Sequence, residues 1–174
     1  MAHFSFLESH DGMLEIFRHD IDRLRPLGLV AQNIMRGPSE LSPGVRELLG
    51  AYVSGLNGCA FCYGSHRAVA ESFEVDPETI DRLVSDGDIS ILPPRLRPLI
   101  VLAGKLTRNL TEVGQDDIDS IVEAGWTEET AQDVVCIASL FALFNRLTMG
   151  HGVIGSHEYF AREAAMLGPG GGYI

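Results

Sequence analysis

Apolar residues recur at spacings of three and four along most of the chain, and no run alternates residue by residue over the length of a strand. That spacing gathers the apolar side chains on one face of a helix, not of a sheet. Met13, Leu14, Phe17, Ile21 and Leu24 share such a face, and Pro26 predicts a break before a second short helix over 27–35. Ser42 reads as an N-cap with Pro43 at the first helical position, opening a helix through 56. Asn57-Gly58 closes it, because both residues tolerate the left-handed backbone that ends helices. Further helices are predicted from Cys59 to about 73, over 77–85, over 95–106, with Pro98 tolerable only in the first turn, and over 115–124. Thr127 caps a long helix to 147, and Val134, Val135, Ile137, Ala138, Phe141 and Phe144 predict it to be the central buried one. A last helix covers 156–166, and Gly168 to Gly172 reads as a flexible tail. The expected fold is all-α, a compact multi-helix bundle in one domain over 1–174.

The chain has 174 residues, 45% of them hydrophobic, which suffices for a core without disulfides. A formal net charge of -11 repels phosphate backbones and anionic membrane surfaces, so neither nucleic acid nor membrane is an expected partner. The first residues lack the basic start and apolar run of a signal peptide, and no eighteen residues are uninterruptedly apolar. Three cysteines are too few for a secreted disulfide scaffold, so the expected address is the cytoplasm. There, a Cys-x-x-Cys pair needs a chemical reason.

The stretch from Asn57 to His66 supplies one. Gly58 ends one helix, so Cys59 falls at the start of the next, where unpaired N–H groups and the helix dipole favour a thiolate. Cys62 lies three residues on, within disulfide reach. His66 is four residues beyond Cys62 on the same helical stripe. Two sulfurs and an acid/base group in one stripe meet the needs of thiol redox chemistry. Glu47, in the preceding helix, folds back beside them and is placed to orient His66.

Glu47, an eleven-residue gap, Cys59-Ala-Phe-Cys62 and His66 resemble the active-site signature of alkylhydroperoxidase D-like proteins in the carboxymuconolactone decarboxylase superfamily. Phe141-Ala-Leu-Phe-Asn145-Arg146-Leu and the following Gly150-His-Gly-Val resemble its peroxidase-related branch, and the likeness spans about 20–155. The resemblance implies an all-α fold assembling into homo-trimers or hexamers. It implies a cysteine pair that reduces small-molecule hydroperoxides without a cofactor or metal and is recycled through a disulfide by an external dithiol. Carried over by residue, Cys62 attacks the peroxide, Cys59 resolves it, and Glu47 with His66 forms the proton relay. The helix-start argument alone points instead to Cys59 as the thiolate. One departure stands out. The residue before the second cysteine can be a histidine in such peroxidases and is Phe61 here, which removes one possible proton donor.

Other readings compete. The cysteines with His66 and His151 or His157 form a conceivable zinc set, but at no zinc-finger spacing. The superfamily also offers lyases, and a disulfide that alters a subunit contact offers a non-enzymatic role. Cys136 reads as core packing, Asn145 and Arg146 as a cavity lining or an ordinary cap, and His3, His10 and His19 as surface residues.

Overall fold

A computed structural model describes residues 2–8 and 11–174, so His10 lies outside the described residues. Among them the regular elements are helices: α1 (Met13–His19), α2 (Ile21–Arg36), α3 (Pro43–Leu56), α4 (Ala60–Ser72), α5 (Pro77–Ser85), α6 (Arg97–Arg108), α7 (Gln115–Glu123), α8 (Glu128–His151) and α9 (His157–Leu167), with short 3₁₀ turns between α5 and α7. The fold is all-α, as the periodicity predicts.

The chain breaks at Asp20, not at Pro26, which sits inside α2. A proline there frees only the carbonyl of Asp22, and that residue is exposed at the helix start, where water replaces the lost bond. Pro98 is the second residue of α6, in the first turn where its missing N–H costs nothing.

α3 is the enclosed helix. Every residue from Arg46 to Ser54 is buried, whereas α8, expected to be the central one, is buried along one side only. Ser42 Oγ accepts from the Val45 N–H at 3.3 Å, and Pro43 opens the helix. α3 packs on α4, α5, α6 and α8, and α4 in turn lies along α9. A Cβ on Gly50 would stand 2.4 Å from the Phe141 ring, so this glycine sets how closely α3 and α8 approach. By length and composition α8 would also suit a membrane crossing, with a mean hydropathy of 1.4 over its most apolar window. Here Val134, Ile137, Phe141 and Phe144 are buried in the core it forms with α3 and α6.

The α3–α4 turn positions the cysteines. Gly58 takes the left-handed conformation at φ +69 and Asn57 remains right-handed, while the Cys59 N–H closes onto Ser54 O at 2.9 Å. The turn sends α4 back antiparallel to α3, with Cys59 as its N-cap.

The C-terminal segment, read above as a flexible tail, is folded back. Gly172 N–H donates to Met166 O at 3.2 Å and Tyr173 N–H to Gln32 Oε1 at 2.7 Å. The glycines give the tight path, and the tyrosine at their end provides the anchor.

Candidate active site

Cys59 and Cys62 are free thiols, exposed to only 1% and 2%. As N-cap, the Cys59 sulfur accepts from the Cys62 backbone N–H at 3.5 Å. Thr148, from α8, sets its hydroxyl 3.1 Å from the Cys59 sulfur and 3.4 Å from that of Cys62. The Cys62 thiol, then the Thr148 hydroxyl and the cap N–H, outweigh burial and lower the Cys59 thiol to about 6. The same sulfur–sulfur hydrogen bond, with burial and the Cys59 charge added, pushes Cys62 up. The two thiols are therefore shifted in opposite directions, with Cys59 the more acidic of the two, as the helix-start argument expects.

Glu47, from α3, is fully buried. One carboxylate oxygen is 2.7 Å from His66 Nδ1; the other meets Arg36 Nη2 at 2.6 Å and accepts from the Tyr173 hydroxyl at 2.9 Å. Burial pushes this carboxyl up, but His66 and Arg36 outweigh it and hold it below the usual range. Arg36 is itself sandwiched between Phe73 and Tyr173, with ring centroids at 5.2 and 5.1 Å. His66 stands edge-on to Phe141 at 4.5 Å. Its Nδ1 is held by Glu47, which leaves Nε2 for the cavity that His66 lines.

That cavity, of about 80 Å³, lies between α1, α2, α4, α8 and α9 and has Phe17, Phe61 and Phe144 in its wall, with Ser65, Glu163 and Tyr173 as polar neighbours of His66. Phe61 packs edge-on against Tyr159 and Phe160 at 5.4 and 5.9 Å, so it is apolar wall and no proton donor.

The structure thus brings together all four residues singled out from the sequence, in two linked clusters: the sulfur pair on Thr148, and His66 on Glu47. Asn145 is buried beside them, donating to Ser54 Oγ at 3.0 Å and accepting from Asn57 Nδ2 at 2.8 Å, while Arg146 points outward. Cys136, read as core, is only half-buried. His151 is bound to Leu147 O at 2.7 Å and His157 lines a surface groove, both outside the site. Among the described residues no three His, Cys, Asp or Glu side chains are arranged to hold a metal ion. Sequence reading missed Arg36, Thr148, Glu163 and Tyr173. For Thr148 a signal exists, since it follows Asn145 by three residues as a second polar interruption of an apolar helix.

Residues 25–89, which contain Glu47, Cys59, Cys62 and His66, match the model of the carboxymuconolactone decarboxylase family. No curated protein matches the chain significantly. Among solved structures, an uncharacterized peroxidase-related protein from Silicibacter sp. TM1040 superposes with a TM-score of 0.78 at 24% identity, over 84% of this chain and 77% of that one. The alkylhydroperoxidase AhpD core of an uncharacterized peroxidase-related protein from Ralstonia eutropha JMP134 gives 0.78 at 28% identity, over 83% and 76%. The debrominase Bmp8, solved with 2,3,4-tribromopyrrole, shares the fold at 12% identity and a TM-score of 0.70, over 87% and 79%. Residues 25–89 are thus similar to the carboxymuconolactone decarboxylase family. The fold is that of the peroxidase-related, alkylhydroperoxidase AhpD-like structures it superposes on.

Proposed function

We propose that this chain is a thiol-dependent peroxidase that reduces small hydroperoxides and is recycled by an external dithiol. One observation carries the reading: two free, buried thiols lie together at a helix N-terminus, beside a histidine held by a buried carboxylate. Two adjacent thiols that can pass a proton between them are the arrangement in which one sulfur becomes a sulfenic acid and the other closes the disulfide.

In this scheme the Cys62 proton moves to the Cys59 sulfur, which shares the Thr148 hydroxyl with it. Cys62 lies one turn before His66 on α4 and makes the attack. Its thiolate forms an S–O bond with the hydroperoxide as the O–O bond breaks, and the alkoxide takes up a proton to leave as alcohol. The Cys59 thiol then condenses with the Cys62 sulfenic acid, forming the disulfide and releasing water. Exchange with an external dithiol restores both thiols and leaves that dithiol oxidised. Glu47 fixes the His66 ring and so presents Nε2 for proton transfer.

Peroxide-dependent oxidation of dithiothreitol tests the reading. Wild type should turn over an organic hydroperoxide and Cys62→Ser should not. Equal rates in the two proteins would reject it.

A further inference from the structure

The peroxidase scheme leaves one polar group of the cavity without a task. Glu163 reaches in from α9 and is 6% exposed. Its Oε2 accepts from the Ser65 hydroxyl, which comes from α4 one residue before His66. The side chain makes no other hydrogen bond and no ion pair among the described residues, so Oε1 is not tied to protein. Glu15 from α1, Glu47 from α3, His66 from α4, Tyr159 on α9 itself and the Tyr173 hydroxyl are the titratable groups around it. Arg18 and Arg162 line an outer depression that Glu163 also borders.

Two of these neighbours are carboxylates, and no lysine or arginine is paired with Glu163 to balance them. Burial pushes its carboxyl up; the Ser65 hydrogen bond and His66 oppose this, Glu15 and Glu47 add to it, and the outcome is a raised carboxyl. Burial without a cation beside it favours the acid form of a carboxyl, and a carboxylic acid can give its proton to a departing oxyanion. The wall supplies no rival at the corresponding place on α4, where Phe61 stands.

We propose that Glu163 is a catalytic general acid, the group that protonates the leaving oxygen of the hydroperoxide. The inference rests on the peroxidase reading. As the sulfur takes the distal oxygen and the O–O bond breaks, the alkoxide receives the Glu163 proton and leaves as alcohol, and Glu163 becomes a carboxylate. When the external dithiol has restored both cysteines, one of them loses its proton to re-form the resting thiolate. That proton returns Glu163 to its acid form. The cycle then closes: hydroperoxide plus dithiol gives alcohol, water and disulfide.

The test compares oxidants whose leaving groups differ in basicity. tert-Butyl hydroperoxide expels an alkoxide and needs the acid, whereas peracetic acid expels acetate and does not. Glu163→Gln keeps the acceptor for Ser65. It should slow cysteine oxidation by tert-butyl hydroperoxide by about a hundredfold, within the range typical of general acid catalysis, and oxidation by peracetic acid by less than about threefold. Equal losses with both oxidants, or no loss with either, would overturn the proposal. If Glu163→Gln does not fold, Glu163→Asp, which withdraws the carboxyl by one methylene, should show the same selectivity in smaller degree; its absence overturns the proposal too. A wild type whose cysteines resist the hydroperoxide removes the peroxidase reading itself, and this inference with it.

Discussion

Replacing Thr148 with valine tests how the thiolate is held. The Thr148 hydroxyl has one hydrogen and four acceptors within reach: the two sulfurs, Phe144 O at 3.1 Å and Asn145 O at 3.2 Å. When Cys59 is a thiolate the hydrogen belongs on that sulfur, because a charged acceptor outbids a carbonyl. When both cysteines are protonated it returns to its own helix. Valine keeps the shape and removes the donor. A hydrogen bond to a charged group contributes about 1.5–3 kcal/mol, and one pKa unit corresponds to about 1.4 kcal/mol. Thr148→Val should therefore raise the Cys59 thiol from about 6 by roughly one to two units, into the range of an ordinary thiol. Thiolate ultraviolet absorbance followed from acid to alkaline pH reads the midpoint directly. The sign for stability follows from the lowered folded value: the contribution is fully present above the unfolded thiol pKa and is lost as pH falls through about 6. Thr148→Val should narrow that window from its acid side. A midpoint that stays where it is in wild type would refute the idea that Thr148 holds the charge.

Three further changes probe the surrounding frame. Glu47→Gln leaves Arg36 buried without its anion and should destabilise the fold by about 3–5 kcal/mol in urea melts, the cost typical of a broken buried pair; a loss under about 1 kcal/mol would contradict the ion-pair account. Tyr173→Phe removes the hydroxyl donor to Glu47 and should cost about 1.5–3 kcal/mol, whereas an unchanged melt would mean that the tail does not dock there. Gly50→Ala drives a methyl into Phe141, which itself abuts His66, and should cost about 1–3 kcal/mol through overpacking; a neutral substitution would show that α3 and α8 separate freely.

Helix identity and the α3–α4 turn were legible because local chemistry dictates them: Ser42-Pro43 opens, Gly58 closes, and Cys59 is left as a cap. Pro26 misled because a proline's effect depends on whether water can reach the carbonyl it frees, which only tertiary exposure reveals. α8 looked central because of its apolar composition. Yet α3, carrying Arg46 and Glu47 among small and apolar residues, is the helix that neighbours enclose, since Arg46 is bound by backbone carbonyls and Glu47 is paired with Arg36 and His66. Glu47 and His66 could be read from their spacing to the cysteines. Arg36 and Tyr173 could not, because they join the same carboxylate from the end of α2 and the end of the chain, and nothing local marks either position. The glycine run before Tyr173 signals freedom of path, and only the buried acceptor at its end turns that freedom into a docked segment.

The central claim is that Cys59 and Cys62 form one redox unit in which Cys62 meets the oxidant. Peptide mass mapping after one equivalent of organic hydroperoxide tests it most directly, in wild type and in each single cysteine-to-serine variant. Wild type should show a Cys59–Cys62 disulfide, Cys59→Ser a trapped sulfenic acid on Cys62, and Cys62→Ser an unmodified Cys59. A sulfenic acid on Cys59 in Cys62→Ser, with none on Cys62 in Cys59→Ser, would contradict the assignment of the attacking sulfur, and a wild type without the disulfide would contradict the account as a whole.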